Sequence, residues 1–332
     1  MKISFIEPHL GVYGGIRRIV ELSNRLVDKG HEVSIFHSDG SPCRWLKNRA
    51  RTAPAGDVLD ESHDVLLFND PNSRDYALVR EASAKLKVLY VLELYEKELL
   101  KDFRWQRFLP WHRRMRILSA YLKLADLVLV NATWEQIWLK EHLGIPSETV
   151  LGGVDFDMFR PVEVPRKRGD TVRILCSGDP RKRKGFKFIQ TAFARARKSC
   201  PRLTLDTYHG KGLTQKELVD AYCSADIFIE ASTQAGWNNP VAEAMACKVP
   251  VICTDIGGVA DFAIHERTAL LVSPGDVDGM TQAIIRLATD RSLRQRLAEQ
   301  AFERIRLFPW SRCADRLEEI LRDALMTRAI HE

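Results

Sequence analysis

The sequence predicts an α/β protein of two similar halves joined by a hinge. Three observations carry this expectation. Short β-branched runs alternate with longer stretches of helical periodicity, as βα units and parallel sheets require. The alternation forms two series, one ending near residue 131 and one opening near residue 172. At 332 residues the chain also exceeds the usual size of one domain, so two are expected.

In the first half, strands are expected at 2–5, 32–36, 65–68, 87–92 and 127–131. The helix after the first strand shows Ile16, Ile19, Val20, Leu22, Leu26 and Val27 at helical spacing, and Gly30 stops it. The second series predicts strands at 172–176, 203–208, 227–229, 249–253 and 269–272. Between the series, the run from Gly152 and Gly153 through Pro161, then a Pro- and Arg-rich stretch to Gly169, reads as a turn plus a linker. From about Trp310 to Leu325, apolar residues again recur at helical spacing. No low-complexity tract or short repeat is present, which sets solenoids aside. The expected domains are 1–160 and 161–310, with a closing helix over 311–332.

A hydrophobic share of 45% and a charged share of 28% suit an ordinary globular protein. The net charge of +6 permits contact with anionic ligands or an anionic membrane surface. It is too small to argue for nucleic acid. Cys43, Cys176, Cys200, Cys223, Cys247, Cys253 and Cys313 are an odd, unclustered set without a CxxC pair. They read as reduced packing residues, not as a disulfide framework or zinc site. The first residues read as a strand, not a signal peptide, and no apolar stretch approaches the roughly 20 residues that span a bilayer. A cytoplasmic protein is expected.

Three segments carry chemistry. Gly11-Val12-Tyr13-Gly14-Gly15-Ile16 lies between the first strand and its helix, with Arg17 and Arg18 in the first turn. Glycines let backbone amides approach a ligand, and the helix start adds partial positive charge, which suits a phosphate. The run fits neither GxGxxG nor GxxxxGK[ST], and many βα loops use glycine only to turn. Next, Ser177-Gly178-Asp179-Pro180-Arg181-Lys182-Arg183-Lys184-Gly185 follows the strand that opens the second series. Four bases at a strand's carboxyl end sit where open α/β sheets bind ligands, although most charge runs are solvated loops. The third segment runs from Gly236-Trp237-Asn238-Asn239-Pro240-Val241 through Glu243 to Ile252. Asn239 is expected to cap a helix with Pro240 at its first position. Glu243 then offers a carboxylate to paired sugar hydroxyls or complements the helix dipole.

Taken together these segments resemble the retaining GT-B glycosyltransferases of glycosyltransferase family 4, over nearly the whole chain. Gly14-Gly15 with Glu21-Leu22 and Gly30-His31-Glu32-Val33 matches the family's opening. Ala125-Asp126-Leu127-Val128 with Asn131, then Gly153-Val154-Asp155 with Phe159 and Pro161, matches the end of its first domain. Gly178 with Lys184-Gly185, the run from Asn239 to Ala246, and Ser273-Pro274-Gly275-Asp276 match its second.

The resemblance implies two Rossmann-like domains, an acceptor-side first and a donor-binding second, around a deep cleft, with the closing helix crossing back to the first. It implies transfer of a hexosyl or deoxyhexosyl unit from a nucleotide diphosphate sugar to a hydroxyl acceptor, with retention. That acceptor would be a lipid-linked glycan, a polysaccharide or a small molecule. No cofactor or metal is implied, because cations and helix dipoles stabilise the leaving nucleotide. Lys184 would contact the diphosphate and Glu243 the ribose, as the catalytic pair. Gly178, Arg183, Gln234, Gly236, Trp237, Asn238, Asn239, Pro240 and Val241 would line the donor, and Gly14 and Gly15 would meet the diphosphate from the other domain. His9, Arg17, Glu93 and Glu96 fall on the acceptor side.

The chain departs from the family pattern at three places. Ala235 stands where the partner glutamate of Glu243 is usual, with Gln234 beside it as a neutral substitute. Asp179 replaces the arginine that pairs with the lysine, leaving Arg181 or Arg183 to reach the phosphate. Glu93 falls near the family's usual histidine. Ala235 and Asp179 support a rival expectation, a non-catalytic homologue that binds a nucleotide-sugar or a partner enzyme. Finally, basic residues interleave with aromatics over 101–116, which suits either peripheral contact with anionic lipid on the inner membrane face or an ordinary helix.

Overall fold

A computed structural model describes residues 1–69, 76–92, 122–164 and 171–331. The chain divides into two compact units, Met1–Gly152 with Trp310–Glu332, and Gly153–Pro309.

The first unit contains β1 (Lys2–Ile6), α1 (Gly14–Asp28), β2 (Glu32–His37), β3 (Arg51–Pro54) and β4 (Ser62–Phe68). α2 (Tyr76–Glu81), β5 (Ser83–Val91), β6 (Leu127–Val130), α3 (Thr133–Leu143) and β7 (Glu148–Thr149) follow. The strands form one parallel sheet in the order β3-β2-β1-β4-β5-β6-β7. Ile3 and Phe5 point to one face, where they join Ile16, Ile19, Val20 and Trp310. Ile6 points to the other, with Phe36, Leu66 and Val130. Strands buried on both faces read as continuous apolar runs, which is why the expected strands all appear. The short edge strands β3 and β7 carry no such run and were not expected. Pro54 ends β3, where a missing donor is tolerated at an edge.

The second unit runs β8 (Val172–Cys176), α4 (Phe186–Ser199), β9 (Leu203–Thr207), α5 (Gln215–Ser224), β10 (Ile227–Glu230) and α6 (Asn239–Ala246). It continues through β11 (Val251–Thr254), α7 (Gly257–Ala260), β12 (Leu270–Val272), α8 (Val277–Thr289) and α9 (Arg291–Ile305). Its five strands are parallel in the order β12-β11-β10-β8-β9. The order reverses between β8 and β10, so the loops leaving these neighbours diverge and open a crevice at their carboxyl ends.

The boundary between the units lies at Gly152 and Gly153, not at residue 160 as expected. Val154 donates its N–H to the Phe308 carbonyl at 2.9 Å, and Phe159 packs edge-on against Tyr222. These contacts tie 153–160 to the second unit. The last helix, α10 (Trp310–His331), belongs with the first. Glu318 fastens it to the turn between α1 and β2 through Lys29 at 2.8 Å and His31 at 3.0 Å. Hydrogen bonds from Lys29 and Arg322 outweigh the cost of burial and hold its carboxyl at about 2. Burial depresses His31 despite Glu318.

Candidate functional site

The second sheet's switch point brings two of the three chemistry-bearing segments together. Cys176 ends β8 and Glu230 ends β10, and Ile229 pairs with Cys176 in register. The basic loop leaves the first strand and the Gln234–Asn239 segment leaves the second.

The basic loop is fixed by its backbone. Gly178 has φ +76°, and a Cβ there would stand 2.6 Å from Cβ of Thr207. Lys182–Lys184 form one 3-10 turn, closed by Gly185 at φ +65°. A Cβ on Gly185 would lie 2.0 Å from the Ala231 carbonyl oxygen. Only glycine permits this approach of loop to strand end. Thr233 then donates its N–H to the Arg183 carbonyl at 2.8 Å, so the two segments are joined.

Charge within the loop is sorted. Asp179, 3% exposed, accepts from the backbone N–H of Arg181 at 3.0 Å and from its Nε at 2.9 Å. Burial alone would raise this carboxyl, but the Arg181 hydrogen bonds prevail and hold it at about 2. Asp179 therefore engages Arg181. Arg183 and Lys184 are half-buried. Among the described residues, the Lys184 ammonium has no hydrogen-bond or ion-pair partner.

α6 begins one residue earlier than expected. Asn238, not Asn239, is the cap, and its side chain accepts from the Val241 N–H. Asn239 and Pro240 fill the first two helical positions. The extended-side φ of Asn238, −92°, and its side chain's second bond, to Glu230, explain the shift. Asn238 also donates its N–H to the Gly258 carbonyl at 3.0 Å. Gln234 is half-buried, and Ala235 and Gly236 are buried. Trp237 packs against Phe262 and Phe308, with ring centroids 4.6 and 5.5 Å away. Glu243 sits in the second turn, 7% exposed, and Tyr222 donates its hydroxyl to Glu243 Oε2 at 3.1 Å. Burial pushes the Tyr222 phenol well up, which keeps it a donor.

The glycine loop of the first unit is built differently. Gly14 starts α1 and is exposed, Gly15 is half-buried, and the preceding Tyr13 offers no side-chain cap. His9 is exposed and accepts the Gly11 N–H at 3.1 Å. Arg17 is 7% exposed and lies over the Trp45 ring at 5.2 Å. Arg18 is turned inward, donating to the Tyr90 hydroxyl at 2.7 Å and to the Val150 and Leu151 carbonyls at 3.1 Å. Glu93, Glu96 and segment 101–116 lie outside the described residues.

Sequence reasoning missed Glu230, Ser232 and Tyr222, all buried at the site. A charged residue closing the apolar run Ile227-Phe228-Ile229 was the available signal for the first. Among the described residues, no group of His, Cys, Asp and Glu is arranged to hold a metal ion, and no helix is long and apolar enough to cross a membrane.

Residues 205–290 match the family model described as Glycosyl transferases group 1. The chain is 31% identical over 110 residues to D-inositol 3-phosphate glycosyltransferase of Saccharomonospora viridis, covering 33% of this chain and 26% of that one. It is 28% identical over 98 residues to O-antigen chain mannosyltransferase B of Escherichia coli, covering 30% and 25%. These matches thus span about a quarter of each curated relative's length. Among solved structures, sucrose-phosphate synthase of Thermosynechococcus elongatus superposes with a TM-score of 0.78 at 19% identity, covering 98% of this chain and 99% of the other. Anabaena HepE, solved with UDP and glucose, gives 0.74 at 14% identity over 97% and 99%. These neighbours have the GT-B fold. Residues 205–290 are thus similar to group 1 glycosyl transferases, and the chain that carries them has the GT-B fold.

Proposed function

We propose that the chain is a retaining glycosyltransferase that moves a sugar from a nucleotide diphosphate sugar to a hydroxyl acceptor. The observation that carries the reading is Lys184, half-buried and without a described partner at the switch point of the second sheet. Its loop is joined to the one that caps α6. A diphosphate is the ligand such a cation suits. Lys184 and Arg183 neutralise the charge that grows on the departing nucleoside diphosphate, and the N-terminus of α6 adds its dipole. Glu243 accepts from the paired ribose hydroxyls, oriented by Tyr222. No resident metal is needed for that stabilisation. The group 1 match over 205–290 and the curated relatives' names support the reading. HepE was solved with UDP-glucose, which makes uridine donors the first to try. The acceptor is a lipid-linked glycan, a polysaccharide or a small molecule, and the basic-aromatic segment 101–116 touches anionic lipid.

Thermal unfolding against UDP, GDP, ADP, dTDP and their sugars, with and without EDTA, tests the donor. A ligand at 100 times its Kd adds about 2.7 kcal/mol. One preferred nucleotide, with the shift unchanged by EDTA, is expected, and the anomeric proton of the transferred sugar then reports retention. No shift with any member would favour a non-catalytic homologue.

A further inference from the structure

We propose that Glu230 is a positioning residue of the donor site, fixing the 231–238 turn so that Asn238 and the basic loop meet a nucleoside diphosphate together; this rests on the donor reading above. Glu230 closes β10 and is 4% exposed. Three donors converge on its two oxygens. The Ser232 N–H stands at 2.9 Å, the Ser232 hydroxyl makes a short bond, and the Asn238 Nδ2 lies at 2.9 Å. Burying a carboxyl at the end of an apolar strand costs free energy that an isoleucine would not, so its retention implies a task.

The task is visible in what the bonds hold. The Asn238 amide has two distinguishable ends. Its Nδ2 goes to Glu230 while its Oδ1 takes the Val241 N–H of α6 at 3.5 Å. Glu230 thereby sets which way the cap faces. Ser232 is gripped on the other side as well, its carbonyl accepting from the Thr254 hydroxyl on β11. The next residue, Thr233, holds the Arg183 carbonyl and hence the turn that carries Lys184. One carboxyl thus organises both segments expected to meet the donor. It does not touch the donor itself, since its oxygens already serve the turn.

Calorimetric titration of the full chain with UDP, GDP, ADP and dTDP tests this on the wild type, Glu230→Gln, Asn238→Ala and the double variant. Glutamine keeps the shape but turns an amide donor toward Ser232 or Asn238. We expect Kd for the preferred nucleotide to rise roughly tenfold or more in Glu230→Gln, with its circular dichroism unchanged. The double variant should lose no more than Glu230→Gln alone, because the amide is already released. An unchanged Kd in the folded variant, or additive losses, overturns the assignment. If the glutamine variant fails to fold, Glu230→Asp, one methylene shorter, is titrated with the same expectation and the same overturning result. A wild type that binds none of the four nucleotides overturns the donor reading and this role with it. Wild-type and Glu230→Gln chains that bind equally overturn only the role.

Discussion

Both units place a glycine-bearing loop after the first strand of a parallel sheet, followed by arginines or lysines, yet they use them in opposite ways. In the first unit, Val12 is 73% and Tyr13 52% exposed, while the cations that follow turn inward. Arg18 braces Tyr90 and the Val150 carbonyl, and lies 5.6 Å from the Trp310 ring of the closing helix. In the second unit the loop is pinned and the cations remain at the rim. Gly185 abuts Ala231, Asp179 takes Arg181, and Lys184 has no partner among the described residues. A basic residue after a βα glycine loop is therefore not by itself a phosphate ligand. What decides is whether a buried acceptor reaches it first.

The sharpest way to break this contrast is to fill the two loops. Gly185→Ala forces backbone apart at a positive φ and should cost about 3 kcal/mol of stability or more. Gly15→Ala meets only the movable tip of Leu92 at 3.2 Å and should cost under about 1 kcal/mol. Urea unfolding of both variants checks the difference, and equal losses would erase it.

Next in size is the fate of the cations. Arg18→Ala strips Tyr90 and two carbonyls of a buried partner and should destabilise the fold by about 3 kcal/mol. Lys184→Ala should leave the urea midpoint in place yet weaken nucleoside diphosphate binding by about 2 kcal/mol in calorimetry. If Lys184→Ala unfolded the protein and kept its affinity, the two loops would be alike.

The smallest effect is the pH response of the Asp179–Arg181 pair. The Asp179 carboxyl lies below its ordinary value, so the pair stabilises the fold above about pH 4, and this is lost as pH falls toward 2. With Arg181 47% exposed, solvent screening limits the contribution to roughly 1–2 kcal/mol. Asp179→Asn should flatten that part of the stability profile, measured as urea midpoints between pH 2 and 5. A profile identical to the wild type would mean that Arg181 does not need Asp179.

Much of the fold was legible because parallel strands covered on both faces must be largely apolar, as Val65–Phe68 and Ile227–Ile229 are throughout. The edge strands were not, since half their surface is free of that demand. The site was legible in part. Glycine and proline announce backbone events, so the loop holding Gly178 and Gly185 and the helix start near Pro240 could be located. Asn238 was displaced by one residue because Asn239 is chemically the same cap, and only the bond to Glu230 separates them. Glu230 and Tyr222 were silent, for a buried polar side chain looks like any other polar residue until its partner is known.

Local chemistry, then, was settled by the sequence: which buried segments are strands, where glycine and proline interrupt them, and which loops carry charge. Tertiary structure decided partnership. It turned Arg18 inward, gave Arg181 to Asp179 and Asn238 to Glu230, and assigned 153–160 to the second unit. The physical reason is range. Propensity and periodicity act over a few residues, whereas the bond that orients a side chain here joins residues up to 287 positions apart, as His31 and Glu318 show.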